Sequence, residues 1–152
     1  MRGGGGLDGA IHAKAGKNLL LELEEKVPHR AQTGEVIVTK GYKTDFDYIL
    51  HVAGPLWGGG YHDEESKLRA SYVNAIKEAD KLNIETLAFA SISTGIYGYP
   101  LDQATPVALE TCAYELKTTT TLKNIVFAMF QENEFKTFTK AYETIFVQKS
   151  EL

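Results

Sequence analysis

The chain has 152 residues (16.8 kDa), with a net charge of −4 and a pI near 5.6, and so lacks the excess of basic residues on which general nucleic-acid and membrane-surface binders rely. Hydrophobic residues at 43 % and charged residues at 24 % exclude a disordered chain and predict one globular domain spanning residues 1–152. A lone Cys112 excludes an internal disulfide, and four scattered histidines offer no metal-ligand spacing, so a reducing, cytoplasmic setting without a metal is expected. The start of the chain has no apolar signal-like core, and no stretch approaches the ~20 apolar residues that span a bilayer, so neither secretion nor membrane insertion is expected.

The chain opens on Gly3-Gly4-Gly5-Gly6-Leu7-Asp8-Gly9-Ala10-Ile11-His12. Four consecutive glycines disfavour a helix or strand interior, because each loses more backbone freedom on folding than any other residue. Two readings remain at this point: a flexible start, or a cradle in which close backbone approach and the unpaired amides of a following helix hold an anion such as phosphate. A short helix follows over residues 8–15, with Asp8 in its first turn, and Gly16 interrupts it. Residues 17–26 continue helically with Leu19, Leu20 and Leu23 on one stripe, which Val27 extends before Pro28 ends it. Residues 35–40 form a β-branched strand after the Thr33-Gly34 turn. Residues 48–53 form a second strand whose nearly continuous apolar run predicts burial on both faces, with His51 as a hydrogen-bonded core residue.

Glycines 54 and 58–60 bracket Trp57 in a loop that is either a rim over a pocket or a plain surface crossing. A long amphipathic helix is predicted over residues 64–82, its apolar stripe made by Leu68, Tyr72, Ala75, Ile76 and Ala79. Its acidic start and late lysines agree with the helix dipole. Residues 86–91 read as a third buried strand, running into Ile92-Ser93-Thr94-Gly95-Ile96-Tyr97-Gly98-Tyr99-Pro100, and a helix opens near Asp102. Residues 124–130 form a fourth strand and residues 132–147 a closing helix. Alternating strands and helices predict an α/β layered domain with part of its sheet parallel, in which ligands sit beyond the carboxyl ends of strands. The 93–100 loop occupies such an end. It offers glycines, hydroxyls and aromatics but no lysine or arginine, so backbone amides must do most of any phosphate holding.

Gly4, Gly6 and Gly9 match the spacing of a dinucleotide-binding fingerprint, but no strand precedes them, and the acids about twenty residues on lie in a helix. Gly16-Lys17-Asn18 does not complete a phosphate-binding loop of the Gly-Lys-Ser/Thr kind, and the Gly-x-Ser-x-Gly turn of serine hydrolases is missing. Cys112, within a predicted helix among apolar neighbours, reads as a small buried hydrophobe.

Four segments taken together resemble macro domains, and within them the branch of mono-ADP-ribosyl hydrolases and O-acetyl-ADP-ribose deacetylases. They are the glycine run with its Ala-Ile-His continuation to Gly16, Thr33-Gly34-Glu35-Val36, Tyr48-Ile49-Leu50-His51-Val52-Ala53-Gly54-Pro55-Leu56-Trp57, and Ser91 through Pro100. The resemblance runs in order from Gly3 to the last helix and implies a three-layer α/β/α fold around a mixed sheet. It is shortened at the front: such domains carry further strands and a helix before the glycine loop, including an adenine-reading Asp and a ribose-contacting Asn, where this sequence has Met1-Arg2.

By resemblance, Gly5, Gly6 and Leu7 belong to the first phosphate-contacting loop, while Ser93, Gly95, Ile96 and Tyr97 belong to the second, which wraps the diphosphate and distal ribose. Tyr99 matches an aromatic beside the distal ribose, and Phe130 lies where the last strand approaches the adenine. Asp8 matches the aspartate assigned to hydrolysis, a task that suits a carboxylate able to orient and partly deprotonate a water; helix capping is the competing explanation of the same residue. His12, one turn on, shares its face and is read as structural. The implied ligands are ADP-ribose or O-acetyl-ADP-ribose, with mono-ADP-ribosylated proteins as partners and no cofactor. The alternatives are a non-catalytic ADP-ribose or nucleotide reader, and a chain that folds without binding and self-associates through an open sheet edge.

Overall fold

The computed structural model describes Met1 and residues 6–147, which form two compact units, Met1–Ala53 and Gly54–Leu152. In the first unit, α1 (Gly6–Ala15) and α2 (Lys17–Lys26) precede β1 (Val36–Lys40) and β2 (Tyr48–Val52). Gly16 separates the helices with φ +90°, a backbone state that an L side chain rarely adopts, and so the break read from sequence falls where expected. Strands β1 and β2 pair antiparallel, with Ile37 opposite His51 and Thr39 opposite Ile49. Alternation puts these four on one face. Ile37 and Ile49 pack against the buried Ala15, Leu19 and Leu23, with Ile11 beside them. Glu22 of α2 ties the helix to the hairpin: its Oε1 accepts from the Lys40 amide at 3.1 Å and the Tyr42 hydroxyl at 2.5 Å, and its Oε2 lies 2.7 Å from Lys26 Nζ.

The second unit contains α3 (Glu64–Lys81), β3 (Thr86–Phe89), α4 (Leu101–Leu116), β4 (Asn124–Phe127) and α5 (Glu132–Tyr142), which passes into a π-helical turn (Glu143–Val147). Strands β3 and β4 pair in parallel, Thr86 opposite Asn124 and Phe89 opposite Phe127. Antiparallel and parallel pairings thus both occur, as a mixed α/β architecture requires. The predicted stripe of α3 is buried in full, Leu68, Tyr72, Ala75, Ile76 and Ala79 all lying at 0–1 % exposure. Its Tyr72 meets Phe89 edge-on at 5.0 Å, and Phe127 meets Phe138 of α5 at 5.1 Å, so aromatic contacts join the strands to the helices. Among the described residues no helix is long and apolar enough to cross a membrane.

Three expectations need correction. The apolar runs of β2 and β3 predict burial on both faces, yet β2 buries only His51, and β3 alternates, with Leu87 and Phe89 inside and Thr86 and Ala88 exposed. Small or apolar residues on the second face of a strand look the same in sequence whether or not anything covers them. The fourth strand ends at Phe127 and not at residue 130, and the closing helix is α-helical only to Tyr142. Cys112 is 3 % exposed in α4, and burial pushes its thiol up to about 12, so it is the inert small hydrophobe predicted.

Candidate functional site

In the first unit the site residues gather at the start of α1. Gly3, Gly4 and Gly5 lie outside the described residues; Gly6 is the first residue of the helix, and Leu7 is half-exposed. Asp8 sits in the first turn with its carboxylate about one-third exposed. Its Oδ1 is 3.5 Å from His12 Nε2, one helical turn on, and its Oδ2 is 3.2 Å from the Met1 amino group. His12 Nε2 also lies 2.6 Å from the Met1 carbonyl, which can only accept, so that nitrogen carries the proton and His12 acts as an anchor. His51 on β2 is buried with Nε2 3.0 Å from the Thr39 hydroxyl. Desolvation holds its pKa down at about 4 against the pull of Asp8, with His12 and the amino terminus lowering it further. It is a neutral core histidine, as read from sequence.

In the second unit the site is the loop that follows β3. Its entry is fixed from α3, where the buried Tyr72 hydroxyl accepts the Ile92 amide at 3.1 Å. Thr94 Oγ1 donates to Ser91 Oγ at 2.8 Å, the Tyr99 amide to the Ser93 carbonyl at 3.0 Å, and the Gly98 amide to the Gly95 carbonyl at 3.0 Å. These bonds close the loop upon itself and leave the amides of Thr94, Gly95, Ile96 and Tyr97 with no hydrogen-bond partner among the described residues. Ser93 sits at φ +67°, and its buried hydroxyl is the one buried side-chain polar atom without a partner among them. Successive amides around a left-handed residue form a concavity suited to an anion. Ile96 at 92 % exposure and Tyr97 at 38 % project from the loop, whereas Tyr99 is buried at 4 % with its ring 4.6 Å from that of Trp57. Phe130, just beyond β4, is 85 % exposed.

The glycine-rich loop before α3 is a fastened segment. The Trp57 amide donates to the Tyr97 carbonyl at 2.9 Å, and a Cβ on Gly54 would stand 2.3 Å from Ser93 Oγ and 2.5 Å from Ile92 Cγ2, so only glycine allows the two loops of this unit to approach. Glu64 was read from sequence only as an acid that favours a helix start. In the structure it is 2 % exposed, accepting the Gly58 and Gly60 amides on Oε2 at 2.9 and 2.8 Å and the His62 amide on Oε1 at 2.6 Å. Burial opposes its charge, but the amides of Gly58, Gly60, Glu64 itself and His62 overcome it and hold the carboxyl down at about 2. The available signal was an acid placed a few residues after a glycine cluster, whose bare amides need an acceptor. No group of three or more metal-ligating side chains occurs among the described residues. A separate cleft of about 570 Å³ beside the β1–β2 hairpin, walled by Tyr42, Phe46 and Tyr48, contains none of the predicted site residues.

The geometry has counterparts in known proteins. The Macro domain family model matches residues 1–108. A macro domain-containing protein of Caldanaerobacter subterraneus is 37 % identical over 147 residues, covering 94 % of this chain and 82 % of the relative. The solved Oceanobacillus iheyensis macrodomain with ADP superposes with a TM-score of 0.88 at 32 % identity, over 96 % of this chain and 79 % of that one. The Trypanosoma brucei macrodomain in complex with ADP-ribose gives 0.82 at 40 % identity, over 91 % and 57 %. With its sequence matched across most of its length and its α/β fold shared with these structures, the chain belongs to the macro domain family.

Proposed function

We propose that this chain binds ADP-ribose and hydrolyses an ester or glycosidic bond at the distal ribose, releasing ADP-ribose from acidic side chains or acetate from O-acetyl-ADP-ribose. The observation that carries the binding reading is the row of amides from Thr94 to Tyr97, which with the buried Ser93 hydroxyl find no partner among the described residues. A chain of net charge −4 with no basic side chain in this loop has these donors to offer a diphosphate. Two solved relatives, from Oceanobacillus iheyensis and Trypanosoma brucei, hold ADP and ADP-ribose respectively, which supports the same ligand class here.

For hydrolysis, Asp8 is the candidate base. Its carboxylate accepts a proton from a water. Where the water oxygen bonds to the anomeric carbon, the bond from that carbon to the side-chain oxygen breaks and the side-chain carboxylate leaves. Where it bonds to an ester carbonyl carbon, the acyl C–O bond breaks, the ribose oxygen leaves and takes the proton back from Asp8, and the acyl group departs as acetate or as the freed side-chain acid. The partial exposure of Asp8 leaves an oxygen within reach of such a water. In Asp8→Asn, release of ADP-ribose from an automodified acceptor protein falls at least about 100-fold, the scale of a lost general base, while ADP-ribose affinity stays within a few-fold. Unchanged turnover removes Asp8 from catalysis. Binding without turnover in the unaltered protein leaves a reader module.

A further inference from the structure

Glu64 is well placed for a task that capping a helix does not explain. A carboxylate at a helix start ordinarily receives the amides of its own first turn. The Glu64 side chain turns back and takes the Gly58, Gly60 and His62 amides, which lie two to six residues upstream. Gly59 and Gly60 both have φ above +90° or at it, so this loop follows a path that local preference does not select. Three hydrogen bonds to one charged group hold it there.

What is held is Trp57. Its six-membered ring lies 3.2 Å from where a Gly60 Cβ would stand, its ring centroid is 4.6 Å from that of Tyr99, and its amide donates to the Tyr97 carbonyl at 2.9 Å. Tyr97 is the last residue of the segment whose amides find no partner among the described residues, and Tyr99 lies two residues beyond it. The connection is therefore continuous within one unit: Glu64 to the 58–62 amides, to Trp57, to the two tyrosines, to the open amides of residues 94–97.

We propose that Glu64 is a positioning residue for ADP-ribose, presetting the 94–97 amides through Trp57; the proposal rests on the ADP-ribose reading above. A preset loop forgoes the ordering cost that a loose one incurs on binding.

Trp57 is the sole tryptophan, so its fluorescence reports this loop directly. Glu64→Gln exchanges one acceptor oxygen for a donor facing backbone N–H groups. The 152-residue variant should keep its circular dichroism, show greater acrylamide quenching of Trp57, and bind ADP-ribose about tenfold more weakly, the equivalent of one hydrogen bond left unsatisfied. Trp57→Ala should also weaken binding. Because the effect runs through Trp57, adding Glu64→Gln to Trp57→Ala should cost less than about twofold more, the non-additivity expected of residues acting in one chain. Wild-type affinity in Glu64→Gln, or a full tenfold further loss in the double variant, overturns the proposal. Should Glu64→Gln fail to fold, wild-type affinity in Trp57→Ala overturns it. If the unaltered protein does not bind ADP-ribose, the functional reading fails, and the quenching alone decides whether Glu64 positions Trp57: increased quenching upholds that role and unchanged quenching refutes it.

Discussion

A methyl group added at Gly95 would meet nothing within 4 Å, and its φ lies outside the left-handed region, so neither space nor strain calls for glycine there. At Gly54 the reverse holds, because any side chain would collide with Ser93 and Ile92. The two glycines look alike in sequence and are there for different reasons. Gly95 stands within the run of amides assigned above to the diphosphate, and a methyl group there would occupy open space beside them. Gly95→Ala should therefore leave the thermal midpoint within the shift produced by about 0.5 kcal/mol, while ADP-ribose affinity in calorimetry falls severalfold. A drop in stability without loss of affinity would assign Gly95 a structural role. Asp8 was legible as a candidate through the resemblance to macro domains, its place at the start of a helix having an ordinary explanation in capping; its contacts with His12 and Met1 were not legible, since an i, i+4 spacing permits a contact without requiring it.

Helix α3 buttresses its surroundings at both ends with a carboxylate that receives backbone amides. At its start Glu64 holds the 58–62 loop, and near its end Asp80 accepts the Thr120, Thr121 and Leu122 amides ahead of β4. The amides of Leu122, Thr120 and Thr121 hold the Asp80 carboxyl down at about 2, as the loop amides do for Glu64 against its burial. In the unfolded chain both groups take up protons nearer their ordinary values of 3.8 and 4.5. Between about pH 4.5 and pH 2 the unfolded state thus binds more protons, and stability falls as the pH drops through that window. Thermal midpoints measured from pH 6 to pH 2 should show this acid limb, and Glu64→Gln with Asp80→Asn should flatten it; an unchanged slope would mean that neither carboxylate carries it.

The same helix shows what periodicity reveals and what it conceals. The apolar stripe fixed the extent of α3 and the residues it buries, because burial at 3.6-residue spacing leaves a direct mark on the sequence. The Glu64 contacts leave no such mark: an acid at a helix start has an ordinary explanation in the dipole. Strand burial was overestimated for a related reason, since Thr86 and Ala88 suit a covered face and an exposed one equally.

For the molecule as a whole, the alternation of strands and helices pointed to an α/β layered domain, and the resemblance carried by four segments pointed to macro domains, with which the family match and the 0.88 superposition agree. Function rests on fewer residues than fold does. A net charge of −4 removes general attraction for a phosphate-bearing ligand, so affinity has to come from oriented amides at one place. The most direct test is calorimetric titration of ADP-ribose into the 152-residue chain, with circular dichroism on the same sample to establish that it is folded. One-to-one binding in the micromolar range is the predicted result. A folded chain that takes up no ADP-ribose would contradict the account.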